Sequence, residues 1–130
     1  MKLLLDTHTF LWFINGDANL SAAARQLIEN HENERLLSIA SLWELAIKIS
    51  IGKLELNISF ANLLEQQITG NAMDLLHISP AHLDVLKTLS FHHRDPFDRL
   101  IIAQSIVENV PILSRDITFD LYPIERKWAT

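Results

Sequence analysis

The run Leu3-Leu4-Leu5 ends on the carboxylate of Asp6, and near the other end of the chain Val110-Pro111-Ile112-Leu113-Ser114-Arg115-Asp116 repeats the arrangement. Two apolar segments far apart in sequence thus each deliver an acid just beyond the point where a strand should finish. Open α/β sheets build their sites this way, because ligands bind in the crevice outside the carboxyl ends of the strands. A group of carboxylates gathered there points to a metal.

The rest of the chain alternates strand and helix signals. After the first strand, His8 to Ile14 reads as a short helix closed by Asn15-Gly16-Asp17. Ser21 caps a helix to about Asn30, with Ala24, Leu27, Ile28 and His31 on one stripe. Strands are expected at Arg35–Ile39, at Asp74–Ile78 and at Pro111–Leu113, with Tyr122-Pro123-Ile124 as a fifth, edge strand. Helices are expected from Ser41 to about Ile51 with Gly52 closing it, and from Phe60 to about Thr69 followed by Gly70. Two more start at Ser79-Pro80 and at Asp95-Pro96 and run to about Leu89 and Asn109. This alternation predicts a three-layer α/β/α sandwich around a parallel sheet of four to five strands.

A length of 130 residues suits one domain over 1–130. With 48% apolar and 21% charged residues, and only 3 Gly and 4 Pro, a disordered chain is excluded. Asp6 interrupts the first apolar run too early for a signal peptide and no run reaches membrane length, so a cytoplasmic protein without membrane contact is expected. The absence of cysteine removes disulfides and thiolate metal sites. A formal charge of −5 argues against coating nucleic acid through a broad basic face, but not against a nuclease whose acids are gathered around cations.

Five acids can face one crevice: Asp6 after the first strand, Glu44 in the helix after the second, Asp95 and Asp98 opening the helix before the fourth, and Asp116 after that strand. Magnesium or manganese wants oxygen ligands, takes one or two carboxylates directly and keeps several waters that other acids orient. Each acid also has a structural explanation. Ser41-Leu42-Trp43-Glu44 fits a capping box, Glu44 stands four residues before Lys48, and Asp95 is placed to cap a helix with Asp98 in its first turn. Asp116 suits the cap of a last short helix. Asp6 alone has no capping role in this reading, so a charge at the inner end of a buried strand makes it the most diagnostic residue.

Basic and aromatic residues surround these positions. His92 and His93 are expected to be solvated, His77 and His82 to lie at the edge of the core, and His8 to bond near Asp6 or cap the first helix. Arg94, Arg99 and Arg115 stand beside site acids as ion-pair partners or as donors to substrate phosphates. Leu11, Trp12, Phe13 and Trp43 flank the first two acids, where aromatic side chains serve either the core or a partner groove.

With these residues placed, the chain resembles the PIN-domain ribonucleases, particularly the VapC-like toxins of bacterial toxin–antitoxin pairs. The resemblance rests on Leu3–Trp12, Ser38–Glu44, Ile51-Gly52-Lys53-Leu54, His93-Arg94-Asp95-Pro96-Phe97-Asp98-Arg99 and Leu113-Ser114-Arg115-Asp116, in order over nearly the whole chain. It implies magnesium- or manganese-dependent endonucleolytic cleavage of RNA by water attacking phosphorus. Asp6 and Asp98 would hold the ion, Asp116 and Glu44 would position it or its waters, Asp95 would be auxiliary, and Thr7 or Ser114 would bond a water or phosphate. Similar toxins form homodimers and are inhibited by a small antitoxin lying in a groove, here expected near Leu11, Trp12 and Trp43. Rival readings are a non-catalytic PIN-like binding module and a phosphohydrolase with Asp6 as nucleophile. The second needs another acid two residues on, where His8 stands.

Overall fold

The computed structural model describes residues 1–130. Five strands form one sheet: β1 (Lys2–Leu5), β2 (Glu34–Ser38), β3 (Asp74–Leu76), β4 (Ile112–Leu113) and β5 (Arg126–Lys127). Their order is β3-β2-β1-β4-β5, and every neighbouring pair is parallel. The helices are α1 (Thr7–Asn15), α2 (Ala22–Glu29), α3 (Ile39–Ser50), α4 (Phe60–Leu63), α5 (Pro80–Leu86) and α6 (Pro96–Glu108). Helix α4 continues into a π-helical stretch, Leu64–Thr69, and a 3₁₀ turn covers Ile117–Leu121.

The leucine run explains the layering. Successive strand residues point to opposite faces, and Leu3 and Leu5 pack with Phe10, Ala24, Ile28, Leu37 and Leu45 while Leu4 packs with Ala40, Leu100, Ile101, Ile102 and Phe119. Helices therefore cover both faces of the sheet, and a central strand buried on two sides must be apolar throughout. The three-layer expectation holds.

Several boundaries differ from the sequence reading, each for a physical reason. Helix α1 starts at Thr7, so Asp6 becomes its N-cap and accepts a hydrogen bond from the Thr9 amide at 2.7 Å. Helix α3 starts at Ile39, directly after β2, with Ser38 as the cap to the Ala40 amide. The Ser41–Glu44 capping box therefore does not form. Ser41 lies inside the helix and accepts a hydrogen bond from the Thr7 hydroxyl at 2.9 Å. The fifth strand lies at Arg126–Lys127, not Tyr122–Ile124, because Pro123 has no N–H for the ladder and Tyr122 is pulled into the core. Gly52 takes the left-handed backbone expected of it (φ +75), but Gly70 stays right-handed and closes the π-helical stretch through its amide to the Glu65 carbonyl.

One buried polar contact fixes the junction of β2 and α3. Ser38 Oγ donates to Gln104 Oε1 at 2.5 Å, tying this corner to the middle of α6. Ser38→Ala removes a cap and leaves Gln104 Oε1 without its donor inside the core, and is expected to lower unfolding free energy by about 1–2 kcal/mol, read from urea denaturation.

Candidate active site

Strand β1 pairs with β2 on one side and with β4 on the other, so the order of connection reverses at β1 and a crevice opens beyond the ends of β1 and β4. Asp6 follows β1, and Ser114 to Asp116 follow β4. The Ser114 hydroxyl donates to Asp6 Oδ2 at 2.6 Å and accepts from the Asp116 amide at 3.0 Å, linking the two strand ends. The Asp6 carboxyl, capped by Thr9 and held by Ser114, is almost wholly buried. Burial raises its pKa in spite of those hydrogen bonds.

Helix α6 brings the next acids. Its Asp95-Pro96 start forms as the sequence indicates, with Asp95 Oδ1 accepting from the Phe97 and Asp98 amides. Because Asp95 already serves the helix end, the Asp98 carboxylate is not spent on capping. Its pKa is pushed up to about 7, first by burial and then by the negative charges of Asp95, Glu44, Asp6 and Asp116. Those four groups come from the α6 cap, α3, the end of β1 and the end of β4. Asp95 is a sequence neighbour, but Glu44, Asp6 and Asp116 act on Asp98 only because the fold brings their elements near it.

Glu44 projects from α3 and is buried. Its Oε2 pairs with Lys48 Nζ at 2.8 Å, while Oε1 is buried with no partner at all. A carboxylate oxygen removed from water and left unbonded is costly unless something positive meets it. Asp116 is held from two sides: Oδ1 accepts from the Thr118 amide at 2.9 Å, capping the 3₁₀ turn, and Oδ2 accepts from His93 Nε2 at 2.9 Å. Partial burial would raise its pKa, but the hydrogen bonds from His93 and Thr118 outweigh it and hold the carboxyl below its ordinary value.

The remaining residues of interest divide. Thr7 spends its proton on Ser41 and Ser114 spends its own on Asp6, so both hydroxyls brace the site framework. Arg99 is engaged elsewhere: its guanidinium donates to the Leu86 and Leu89 carbonyls at the end of α5 and stacks on Phe91 at 3.9 Å. That corrects the expectation of a phosphate donor there. Arg115 lies over the Trp12 ring at 4.7 Å and donates to Asn19, and with Asp6, His8, Trp12 and Asp116 it lines a cavity of about 290 Å³. Arg94 is exposed on the other flank, beside Asp95, Phe97, Lys48 and Glu44 around a second cavity of about 420 Å³. Leu11 and Trp12 are partly buried against the β1 core, with Trp12 edge-on to Trp128. Trp43, by contrast, is 54% exposed, edge-on to Phe97 at 5.1 Å, with Ile47 exposed on the same helix and Ile51 exposed at its C-cap.

His93 is the residue that the sequence reading misplaces. It is buried, stacked on Phe119 and Tyr122, and bonded to Asp116. A His-His pair on a polar loop carries no local signal of this, since the stacking partners arrive from beyond β4.

No three acidic or imidazole side chains already converge at ligating distance around one point. The donor set nevertheless fits a hard divalent cation. It is all oxygen, it carries mutual repulsion with Asp98 unneutralised, and the buried Oε1 of Glu44 lacks a partner. A cation that takes one or two carboxylates directly and the others through water needs no tight three-ligand cage.

A model of the PIN domain family matches residues 3–125. No curated protein matches the sequence. Among solved structures, VapBC2 from Rickettsia felis, crystallised bound to a DNA fragment from their promoter, contains a chain with a TM-score of 0.69 at 19% identity, the match covering 98% of each chain. FitAcB from Neisseria gonorrhoeae gives a TM-score of 0.61 at 16% identity over 95% of each chain. At such identities the likeness is one of fold.

Proposed function

This chain belongs to the PIN-domain family, and from that premise we propose that it is a magnesium- or manganese-dependent endoribonuclease acting as the toxin of a toxin–antitoxin pair. The observation that carries the reading is the placing of Asp98 where Glu44 of α3, Asp6 past β1 and Asp116 past β4 all add negative charge to that of its own neighbour Asp95. A structural acid has no use for four like-charged neighbours, whereas a cation site requires them. The VapC-like motifs at Leu3–Trp12, Ser38–Glu44, His93–Arg99 and Leu113–Asp116 support the toxin assignment, as does a fold shared with a chain of VapBC2.

In this reading Asp6 and Asp98 hold the ion, while Glu44 and Asp116 set its position or orient its water ligands. Ser114 fixes the rotamer of Asp6, and Asp95 holds the first turn of α6 so that Asp98 faces inward. A bound divalent ion supplies positive charge that activates water and offsets the charge developing on the phosphate. Arg115 and Arg94, on the two flanks, hold the phosphates next to the cleaved one. Water attacks phosphorus and the bridging P–O bond breaks, which requires neither a covalent enzyme intermediate nor a nucleophilic side chain. The resemblance to VapC-like toxins extends the proposal to a homodimer working in the cytoplasm. No helix is long and apolar enough to cross a membrane.

The test compares the wild type with Asp6→Asn on total cellular RNA in the presence of magnesium, manganese or EDTA. Cutting by the wild type alone, abolished by EDTA, is expected. Equal cutting by both proteins defeats the catalytic assignment, and cutting by neither favours a PIN-like module that only binds a partner.

The antitoxin is expected to be a small protein with a basic, partly apolar segment, because the face it meets combines the exposed indole of Trp43 with the acids of the crevice. Large aromatic anchors dominate such interfaces. Trp43→Ala is expected to weaken cognate antitoxin binding by about 30-fold, roughly 2 kcal/mol, by titration calorimetry. Unchanged affinity after substituting both Trp12 and Trp43 removes them from the interface.

A further inference from the structure

His93 lies outside the acidic set, yet its ring is buried and held by several contacts. Its ring stacks on Phe119 with centroids 4.7 Å apart and planes 24° apart, and on Tyr122 at 5.6 Å and 30°. The Tyr122 hydroxyl accepts from the His93 backbone N–H at 2.9 Å, lies 3.3 Å from Nδ1, and reaches the Ser90 carbonyl at 3.2 Å. The backbone N–H and the stacking on two rings therefore hold the imidazole, and Nε2 meets Asp116 Oδ2 at 2.9 Å. An ionised carboxylate only accepts, so Nε2 carries the proton in this contact.

Asp116 needs such a hold. It sits on a turn at the surface, its side chain is 43% exposed, and without His93 only the Thr118 amide bonds to its carboxylate. With both bonds made, each oxygen is fixed by one donor and keeps a lone-pair direction for a cation or its water. Asp116 is thus bonded to His93 through its carboxylate and, through its backbone amide and the Ser114 hydroxyl, to Asp6, joining the acids at the ends of β4 and β1.

We propose that His93 is a positioning residue: clamped by Phe119 and Tyr122, it fixes the Asp116 carboxylate in the orientation that cation binding requires. This rests on the nuclease reading above insofar as Asp116 serves the cation. The tie also joins two elements, because His93 lies just before the Asp95 cap of α6 and Asp116 follows β4.

The test separates donor from packing. His93→Phe keeps an aromatic ring between Phe119 and Tyr122 but donates nothing, while His93→Gln places an amide N–H near the position of Nε2. Tyr122→Phe removes the hydroxyl that fixes His93 and retains the ring. Manganese binding is measured directly by electron paramagnetic resonance titration of free Mn²⁺, alongside unfolding in urea. Loss of an outer partner of a ligating group costs about 10–100-fold in metal affinity. His93→Phe is expected to weaken Mn²⁺ binding by that factor, Tyr122→Phe by less, and His93→Gln to recover most of the affinity. Mn²⁺ affinity that is unchanged in folded His93→Phe, or lost equally in His93→Gln, overturns the inference. If His93→Phe does not fold, Tyr122→Phe and His93→Gln decide it: wild-type affinity in the first or loss in the second overturns it. A wild type that binds no Mn²⁺ removes the metal site, and with it both this role and the nuclease reading. Wild-type binding with no difference among the variants removes the role of His93 alone.

Discussion

Asp98→Asn is expected to abolish RNA cleavage while making the metal-free protein more stable at neutral pH. The two effects have one cause. Asp98 is crowded by Asp95, Glu44, Asp6 and Asp116 in a partly desolvated crevice, so its negative charge opposes folding in the absence of a cation. A rise from the ordinary 3.8 to about 7 corresponds to an upper bound of about 4 kcal/mol. Solvent screening at this half-buried position reduces it to about 1–2 kcal/mol. Because the folded-state pKa lies above the unfolded one, the penalty is absent below about pH 4, grows as pH rises from there to about 7, and stays constant above. Urea denaturation without divalent ions should therefore show the wild type losing stability across that window and Asp98→Asn losing less. Cleavage by Asp98→Asn should fall by at least about 10²-fold, since even outer-sphere partners of a metal are worth 10–100-fold. A variant that cuts normally, or that is less stable than the wild type at pH 8, would show Asp98 to be a structural residue.

Adding Mn²⁺ should reverse the penalty. A ligand that binds only the folded state stabilises it by about 2.7 kcal/mol at one hundred times its dissociation constant, which for a chain of this size is a rise in melting temperature of about 10 °C. Binding requires ionised carboxylates, so protons compete with the metal. The rise should be largest near pH 8, where Asp98 is mostly ionised, and small near pH 5, where it is protonated. Differential scanning fluorimetry at the two pH values, with Mn²⁺ or EDTA, reads this directly. Asp6→Asn and Asp98→Asn should each flatten the response. An equal rise at both pH values, or one retained by both variants, would place the cation elsewhere.

Much of the fold could be read along the chain. Leu3-Leu4-Leu5, wholly apolar, had to lie in a strand covered on both faces, and Asp95-Pro96 marks the start of α6 correctly because cap and proline signals act within one turn of backbone. The acids could be picked out for the same local reason, each standing just past a strand or just inside a helix. Where the reading fails, a partner from a distant segment decides the matter. Ser41 loses the cap position to Ser38 because β2 runs straight into α3, and Arg99 turns from substrate to the carbonyls at the end of α5. Asp6 turns out to cap α1 as well as face the crevice, so its burial alone is less diagnostic than its position among other acids.

The sequence by itself determined the alternation of strands and helices, the two-faced burial of β1 and the identity of the acids, since these depend on periodicity and on side chains within a few residues. Only the tertiary structure decided that Asp6 and Asp116 line one cavity and Glu44 and Asp95 another, that Glu44 Oε1 is left without a partner and that His93 grips Asp116. Those outcomes are set by the strand order β3-β2-β1-β4-β5, which places β4 beside β1 across nearly the whole length of the chain. Contacts of that separation depend on the packing of every intervening element and leave no pattern in the neighbouring residues.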